Sequence, residues 1–265
     1  MRKCRRMWWR RKRGWNRMGT KKDVLILCVG CGGVFYHGLS MMPNFLWKRG
    51  GMDVVLVDPD VVEERNADRQ WCTPGMLKVS VARRALIELG VSRRAITRYK
   101  TLFHEDHLEI RRRLFGREKV VMVGTPDNHV ARMDMWSMAV SLAKRGTEVV
   151  CVTGGNDAES GYAYGAWMKG EEIRGNWWER HADIGVEAQA ERDRLAHPEG
   201  CGNLERLPQS EGGNLLTAYC VWRTVEMVWD SDVGIEMRWD SVGGKGIIGI
   251  RKIKDRVKEE PEEVV

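Results

Sequence analysis

Residues 24–60 read VLILCVGCGGVFYHGLSMMPNFLWKRGGMDVVLVDPD. The stretch opens with an unbroken apolar run at 24–29, which is typical of a strand buried on both faces. Glycines follow at once at positions 30, 32 and 33, and a second apolar run at 53–57 ends in an acidic pair, Asp58 and Asp60. Strand, glycine turn, helix, strand and terminal acid is the arrangement that places backbone N–H groups around a nucleotide phosphate. The alternative is a tight turn in an α/β sheet with a helix-capping acid.

The same strand profile recurs further along the chain, at 119–123 and 148–152, with a shorter strand expected near 96–102. Helical segments separate these runs, so the sequence predicts an α/β fold with a doubly wound, mostly parallel, Rossmann-like sheet. We expect these helices at about 34–48, 75–89, 105–115 and 127–144. Pro43 should kink or break the first of them.

After residue 152 the alternation stops. A short strand pair and a long loop are expected over 153–213, and such loops are commonly functional. Residues 214–230 carry a broad apolar face and predict a helix. Two strands at about 234–239 and 246–252 should form an antiparallel hairpin around Gly243 and Gly244.

Charge divides the chain into an arm, a body and a tail. Residues 1–22 hold 11 Lys or Arg and no acid, with three tryptophans among them. Only this arm has the chemistry of nucleic-acid binding, because the rest of the chain carries more acids than bases. We expect a flexible basic arm (1–22), a nucleotide-binding domain (23–255, with a core at 23–152 and an extension at 153–255) and an acidic tail (256–265).

Several classes of protein are disfavoured. No secretory h-region is present in the arm, which predicts a cytoplasmic protein. Residues 24–47 lack Lys, Arg, Asp and Glu, but their glycines favour a strand, turn and helix over a membrane span. The seven cysteines include a single CxxC, at Cys28 and Cys31, so the paired CxxC motif of a structural zinc site is absent.

Three further motifs follow in order. They are Asn66-Ala67-Asp68-Arg69-Gln70, then Gly75-Met76-Leu77-Lys78, and finally Asp127-Asn128-His129-Val130-Ala131-Arg132. With the glycine turn and the acidic pair, they resemble the ThiF/MoeB/ubiquitin-activating-enzyme superfamily. The later residues Thr153-Gly154-Gly155-Asn156-Asp157, Gly161, Cys201, Gln209 and Asn214 are similar to plasmid- or phage-borne (PRTRC-type) ThiF homologues.

The resemblance implies an enzyme that binds Mg²⁺ and ATP and adenylates a carboxylate, releasing pyrophosphate. The implied substrate is the C-terminal Gly of a ubiquitin-like or sulfur-carrier protein, and the implied assembly is a homodimer. Asp58 would meet the ribose, Asp127 the Mg²⁺, and Asn66, Arg69 and Lys78 the triphosphate. The full implied nucleotide-binding set is Gly30, Gly32, Gly33, Asp58, Asp60, Asn66, Arg69, Gln70, Lys78 and Asn128. The implied catalytic residues are Arg69, Lys78, Asp127 and Cys201.

Each assignment has a plainer alternative. Arg69 and Lys78 could be surface cations, Asp127 could cap a helix, and Cys201 could be an incidental cysteine rather than the thiol that accepts the acyl group. The tetrad at 104–107, His-Glu-Asp-His, favours a helix start over a metal site.

The chain also departs from the family pattern. Phe35 replaces a third glycine, Gly124 replaces an acid, and Pro126 replaces a threonine. A catalytically degenerate binding module and, less favoured, an NAD-dependent oxidoreductase therefore remain as alternative functions.

Overall fold

The computed structural model describes residues 24–49, 52–66, 74–156, 159–176, 210–242 and 245–253. The basic arm, the acidic tail, Arg69, Gln70 and Cys201 lie outside the described residues, as do Gln209 and most of the long loop before it. Within the described ranges, no helix combines the length and apolar character needed to cross a membrane.

Nine strands form one sheet. Its members are β1 (Val24–Val29), β2 (Asp53–Val57), β3 (Ile96–Tyr99), β4 (Lys119–Gly124), β5 (Glu148–Asn156), β6 (Ser160–Lys169), β7 (Glu172–Arg174), β8 (Gly234–Val242) and β9 (Lys245–Ile253). The order across the sheet is β3-β2-β1-β4-β5-β6-β8-β9, with β7 paired to β6. Strands β1 to β5 are parallel, whereas β6, β8 and β9 pair antiparallel. The predicted fold class, with its antiparallel C-terminal hairpin, is confirmed.

Within the described part of the chain, six α-helices cover the sheet: α1 (Gly33–Gly38), α2 (Met42–Lys48), α3 (Lys78–Glu88), α4 (Leu108–Leu114), α5 (His129–Lys144) and α6 (Glu211–Ser231). The segment expected as one helix over 34–48 is divided in two, as Pro43 predicts. Pro43 lies in the first turn of α2, where its missing N–H costs no hydrogen bond.

Two apolar layers enclose the sheet. One contains buried side chains of α1, α2, α3 and α6, and the other contains those of α4 and α5. Cys28 and Cys151 are both fully buried in strands, which confirms them as core residues. Burial raises the pKa of the Cys151 thiol to about 12, so this thiol stays protonated at neutral pH.

The order β3-β2-β1-β4-β5 places a topological switch point between β1 and β4. From β1 the chain continues towards β2 on one side, whereas β4 and β5 lie on the other. In open α/β sheets, ligands bind outside the carboxyl ends of the strands at such a point. A ligand-binding site is therefore expected at the residues just after β1, β2 and β4.

Candidate functional site

The loops that follow β1 and β4 are joined directly at the switch point. The amide of Thr125 donates to the carbonyl of Val29 at 2.9 Å, and the Thr125 hydroxyl donates to the carbonyl of Gly30 at 3.0 Å. Gly30 has φ +80°, a conformation that favours glycine. A Cβ atom at Gly30 would lie 2.8 Å from the backbone nitrogen of Pro126. The first glycine of the turn is thus required by both backbone conformation and space.

Asp58, at the end of β2, braces the glycine turn. It is 5 % exposed, and each of its carboxylate oxygens accepts a backbone hydrogen bond. Oδ2 accepts from the amide of Cys31 at 2.6 Å, and Oδ1 accepts from the amide of Asp60 at 2.8 Å. Because Cys31 precedes the N-terminal cap of α1, the contact stabilises the turn itself rather than the helix end.

Burial sets the charge state of this carboxylate. Desolvation raises the pKa of Asp58 above its usual value, although the two backbone hydrogen bonds and the charge of Lys78 oppose the shift. A carboxyl group whose pKa is raised by folding favours the folded state at low pH. Its contribution is present below the unfolded value of about 3.9 and is lost as pH rises through the higher folded value.

We therefore expect wild-type protein to lose stability relative to Asp58→Asn as pH rises from about 4 to about 7. Urea unfolding of both proteins across this range measures the difference in the free energy of unfolding. The amide also loses one acceptor, but that loss is the same at every pH. If the free energy of unfolding of wild type instead rose with pH relative to that of Asp58→Asn, the pKa of Asp58 would be lowered by folding rather than raised.

Lys78 opens α3 beside the end of β2. Its Nζ lies 2.7 Å from Asp60 Oδ2, and its amide donates to the carbonyl of Asp60 at 3.0 Å. Burial disfavours the charged amine, but the hydrogen bond that Lys78 donates to Asp60 and the negative charges of Asp58, Asp60 and Asp127 outweigh this effect. The pKa of Lys78 is consequently raised above its usual value. Lys78 is a fixed cation close to three carboxylates that follow β2 and β4.

Asn66 lies in a one-turn 3₁₀ helix, Glu64–Asn66, and its side chain turns towards its own segment. Oδ1 of Asn66 accepts from the amide of Glu63 at 3.0 Å. Backbone hydrogen bonds between Val62 and the segment at 75–76, together with a bridge between Val61 and Leu77, hold this segment beside the start of α3. The Asn66 and Lys78 motifs are therefore neighbours, although Arg69 and Gln70 between them lie outside the described residues.

The helix α5 begins directly after Asp127. Its cap is Asn128, whose Oδ1 accepts from the amide of Ala131 at 2.7 Å. The N-terminal cap position of this helix is therefore Asn128, the residue that follows Asp127. Asp127 is exposed, and its charge acts on Lys78 across the end of the sheet.

The donor set near Asp127 fits a metal ion that arrives with phosphates. In the described residues, no group of three or more His, Cys, Asp or Glu side chains could form a protein cage for a metal. Mg²⁺ typically binds through one or two carboxylates plus substrate phosphates and water. At Gly124, where the family has an acid, the end of the Met135 side chain occupies the space that a Cβ atom would take, so a second carboxylate there would have to displace it.

The segment at 104–107 forms the turn before α4, as expected. The amide of Asp106 donates to His104 Nδ1 at 3.1 Å, and Asp106 forms an ion pair with Arg111. His107 is the N-terminal cap residue of α4. The prediction that this segment starts a helix is thus confirmed.

For two residues near the glycine turn, only the structure shows that they are buried and what they contact. Asn214, in the first turn of α6, is fully buried against Gly33, where a Cβ atom would collide with the amide of its side chain. Neither side-chain atom of Asn214 has a hydrogen-bond partner in the described part of the chain. Arg132, named in the sequence only as the end of a motif, is also buried. Phe35 fills the apolar layer beside α6.

Comparisons with known proteins support the fold. No protein-family model and no curated protein sequence matches the chain. Among solved structures, E. coli MccB with succinimide aligns over 92 % of this chain and 67 % of its own, with a TM-score of 0.58 and 12 % identity. The chain shares the fold of MccB. PaaA aligns over 88 % of this chain and 65 % of its own, with a TM-score of 0.58 and 16 % identity.

MccB has also been solved with ATP, at a TM-score of 0.57 and 13 % identity, covering 92 % of this chain and 67 % of MccB. The chain spans about two thirds of the length of these structures. MccB and PaaA have the ThiF/MoeB-like fold, so the fold that the sequence resemblance implies is confirmed. The comparisons do not identify the PRTRC-type branch.

Proposed function

We propose that the protein is a ThiF-type adenylyltransferase that uses Mg-ATP to activate a carboxylate. The observation that carries this proposal is the partly buried cation Lys78, whose charge interacts with Asp58, Asp60 and Asp127 at the carboxyl ends of β2 and β4. A nicotinamide enzyme would not call for a lysine and a metal-binding carboxylate at this point. The fold shared with MccB, which has been solved with ATP, adds support.

In the proposed reaction, a carboxylate oxygen of the substrate attacks the α-phosphorus of ATP. The bond from that phosphorus to the bridging oxygen breaks, and pyrophosphate leaves with the electron pair. The product is an acyl-adenylate. The protein has mainly to position the reactants and to neutralise the charge that builds on the phosphates.

The residues divide these tasks. Lys78 faces the phosphates as a fixed cation, and a phosphate oxygen replaces Asp60 as its partner when ATP binds. Asp127 holds the Mg²⁺ that neutralises phosphate charge. Asp58 braces the glycine turn, which leaves the more exposed Asp60 to meet a ribose hydroxyl. The roles of Arg69 and Gln70 in nucleotide binding are inferred from the resemblance alone.

The substrate in this proposal is a peptide or small protein with a free C-terminal carboxylate, most simply the Gly of a ubiquitin-like or sulfur-carrier protein. MccB has been solved with the peptide MccA and with N-formylated MccA, which supports this class. A homodimer, and transfer of the acyl group to Cys201, are further parts of the proposal that rest on the resemblance.

A catalytically degenerate binding module is the second candidate. The packing of Met135 against Gly124 favours it, because the site then offers fewer carboxylates to a metal than the family pattern does. Such a module would have the same fold without turnover.

Calorimetric titration with Mg-ATP and, separately, with NAD tests the proposal. We expect binding of Mg-ATP at micromolar to millimolar concentration, roughly the range common for enzyme substrates, and no binding of NAD. Exchange of labelled pyrophosphate into ATP in the presence of candidate C-terminal peptides then tests turnover. Binding of Mg-ATP without exchange would favour the degenerate module, and binding of NAD alone would refute the adenylation proposal.

A further inference from the structure

Arg132, on the first turn of α5, is a buried cation without a carboxylate partner among the described residues. The residue is 7 % exposed. Its Nη2 donates to the carbonyl of Pro126 at 2.9 Å and lies 3.5 Å from the carbonyl of Gly154. Its Nη1 lies 3.3 Å from His129 Nδ1, and its Nε has no partner in the described part of the chain. Backbone carbonyls and an imidazole thus replace a counter-ion.

Neighbouring residues make room for this guanidinium. A Cβ atom at Gly155 would lie 2.7 Å from Nη2 of Arg132, so the absence of a side chain at the end of β5 admits the group. The ring of Tyr162 on β6 lies 5.7 Å from the guanidinium carbon. Burying a charge without a counter-charge is unfavourable for folding. Stability alone therefore does not account for arginine at this position.

The contact with Pro126 gives Arg132 a role at the candidate site. The Pro126 carbonyl belongs to the peptide bond that leads into Asp127. On the other side of that proline, Thr125 is tied to Gly30 by its hydroxyl. The turn between β4 and α5 is held at both ends, by the glycine turn and by Arg132. These two anchors fix the backbone that leads into Asp127.

We propose that Arg132 is a positioning residue for the adenylation reaction. Its guanidinium holds the Pro126 carbonyl so that the Asp127 carboxylate faces Lys78. Its buried positive charge also favours anions at this edge of the sheet, because a charge in a low-dielectric environment acts over a longer distance than one in water. Arg132 need not touch the nucleotide. The inference rests on the proposed function and adds to it the residue that aims the metal-binding carboxylate.

Three variants separate the parts of this role. Arg132→Met keeps a side chain of similar length but removes the guanidinium N–H donors and the positive charge. Arg132→Lys restores the charge without the planar set of donors. Gly155→Ala leaves arginine in place but pushes its guanidinium away from Pro126. The matched control is Arg174→Met: Arg174 donates to the carbonyl of Asp232 at 3.0 Å and lies 5.0 Å from the ring of Trp167, away from the glycine turn.

We expect kcat for ATP-pyrophosphate exchange to fall roughly 10- to 100-fold in Arg132→Met, since small misplacements of a catalytic group have effects of this size. The KM for ATP should change far less, because the glycine turn and Lys78 remain. Arg132→Lys should recover part of the loss, Gly155→Ala should reproduce it, and Arg174→Met should match wild type. The melting temperature of Arg132→Met should not fall, because no buried charge remains.

Hydrogen exchange of the backbone over 125–131 gives a readout that does not depend on activity. Exchange should be faster in Arg132→Met than in wild type and unchanged in Arg174→Met. Unchanged exchange in this segment of Arg132→Met would overturn the positioning role, whatever activity the wild type shows. A parallel loss of melting temperature and kcat would likewise assign Arg132 a structural role. A wild-type protein that binds no Mg-ATP would instead refute the proposed function.

Discussion

Asp127→Ala is expected to lower the rate of ATP-pyrophosphate exchange by at least about a hundredfold, the size of effect that follows loss of one group stabilising transition-state charge. Asp127 is exposed just before α5, and Asn128 occupies the cap position of that helix. The substitution should therefore leave the fold intact. Its main effect should be on the metal ion and on the charge balance around Lys78, as measured by initial rates at saturating Mg-ATP.

Asp106→Ala is the matched control for this experiment. Asp106 is an exposed aspartate in the turn that follows β3 and precedes α4, where it pairs with Arg111. It should keep wild-type exchange. Full exchange activity in Asp127→Ala would remove Asp127 from the mechanism and with it the reason for placing a metal ion there. Lys78→Ala should cause a loss similar to that of Asp127→Ala, because it removes the cation that faces the phosphates.

Gly30→Ala is expected to reduce the free energy of unfolding by about 2–5 kcal/mol. About 1–2 kcal/mol comes from the left-handed conformation and about 1–3 kcal/mol from crowding in a packed region. The crowding partner is backbone, since a Cβ atom at Gly30 would lie 2.8 Å from Pro126 N and 2.9 Å from the carbonyl carbon of Thr125. Neither atom can move away by a rotamer change. Chemical denaturation at equilibrium measures the loss.

Gly116→Ala separates the two causes. Gly116 has φ +78°, almost the same as Gly30, but a Cβ atom there would have no neighbour within 4 Å. This variant should lose only the conformational part, about 1–2 kcal/mol. Equal losses at the two positions would show that the two loops at the switch point can separate without cost. Such a result would weaken the case for a rigid crevice.

Much of the fold could be predicted from local patterns. Each apolar run between 24 and 152 became a parallel strand, because strands buried on both faces need continuous apolar side chains. Pro43 divided the first helix for a reason contained in its ring and its missing N–H. Strand β5 nevertheless runs to Asn156, beyond the predicted 152, because β6 pairs along its added length. Pairing with another strand can therefore extend a strand beyond the residues whose own propensity favours it.

The candidate site was predicted less completely. The motifs named Lys78 and Asp127, but which residue caps α5 depends on backbone angles that a sequence pattern does not specify. The expectation that Asp58 meets a ligand stays a prediction, and the motifs did not indicate that both of its carboxylate oxygens also bind the backbone of its own protein. Those bonds depend on how closely the end of β2 approaches the glycine turn.

The sequence by itself determined the α/β class and the order of the motifs, because these follow from periodicity and chain order, whereas the strand order at the switch point came from the structure. Only the tertiary structure decided that Arg132 is buried without a carboxylate partner among the described residues, with Gly155 leaving space for it. The same holds for Asn214 against Gly33. Such features arise from contacts between elements far apart in the chain. Burial and the resulting charge balance are properties of the packed whole and not of any local segment.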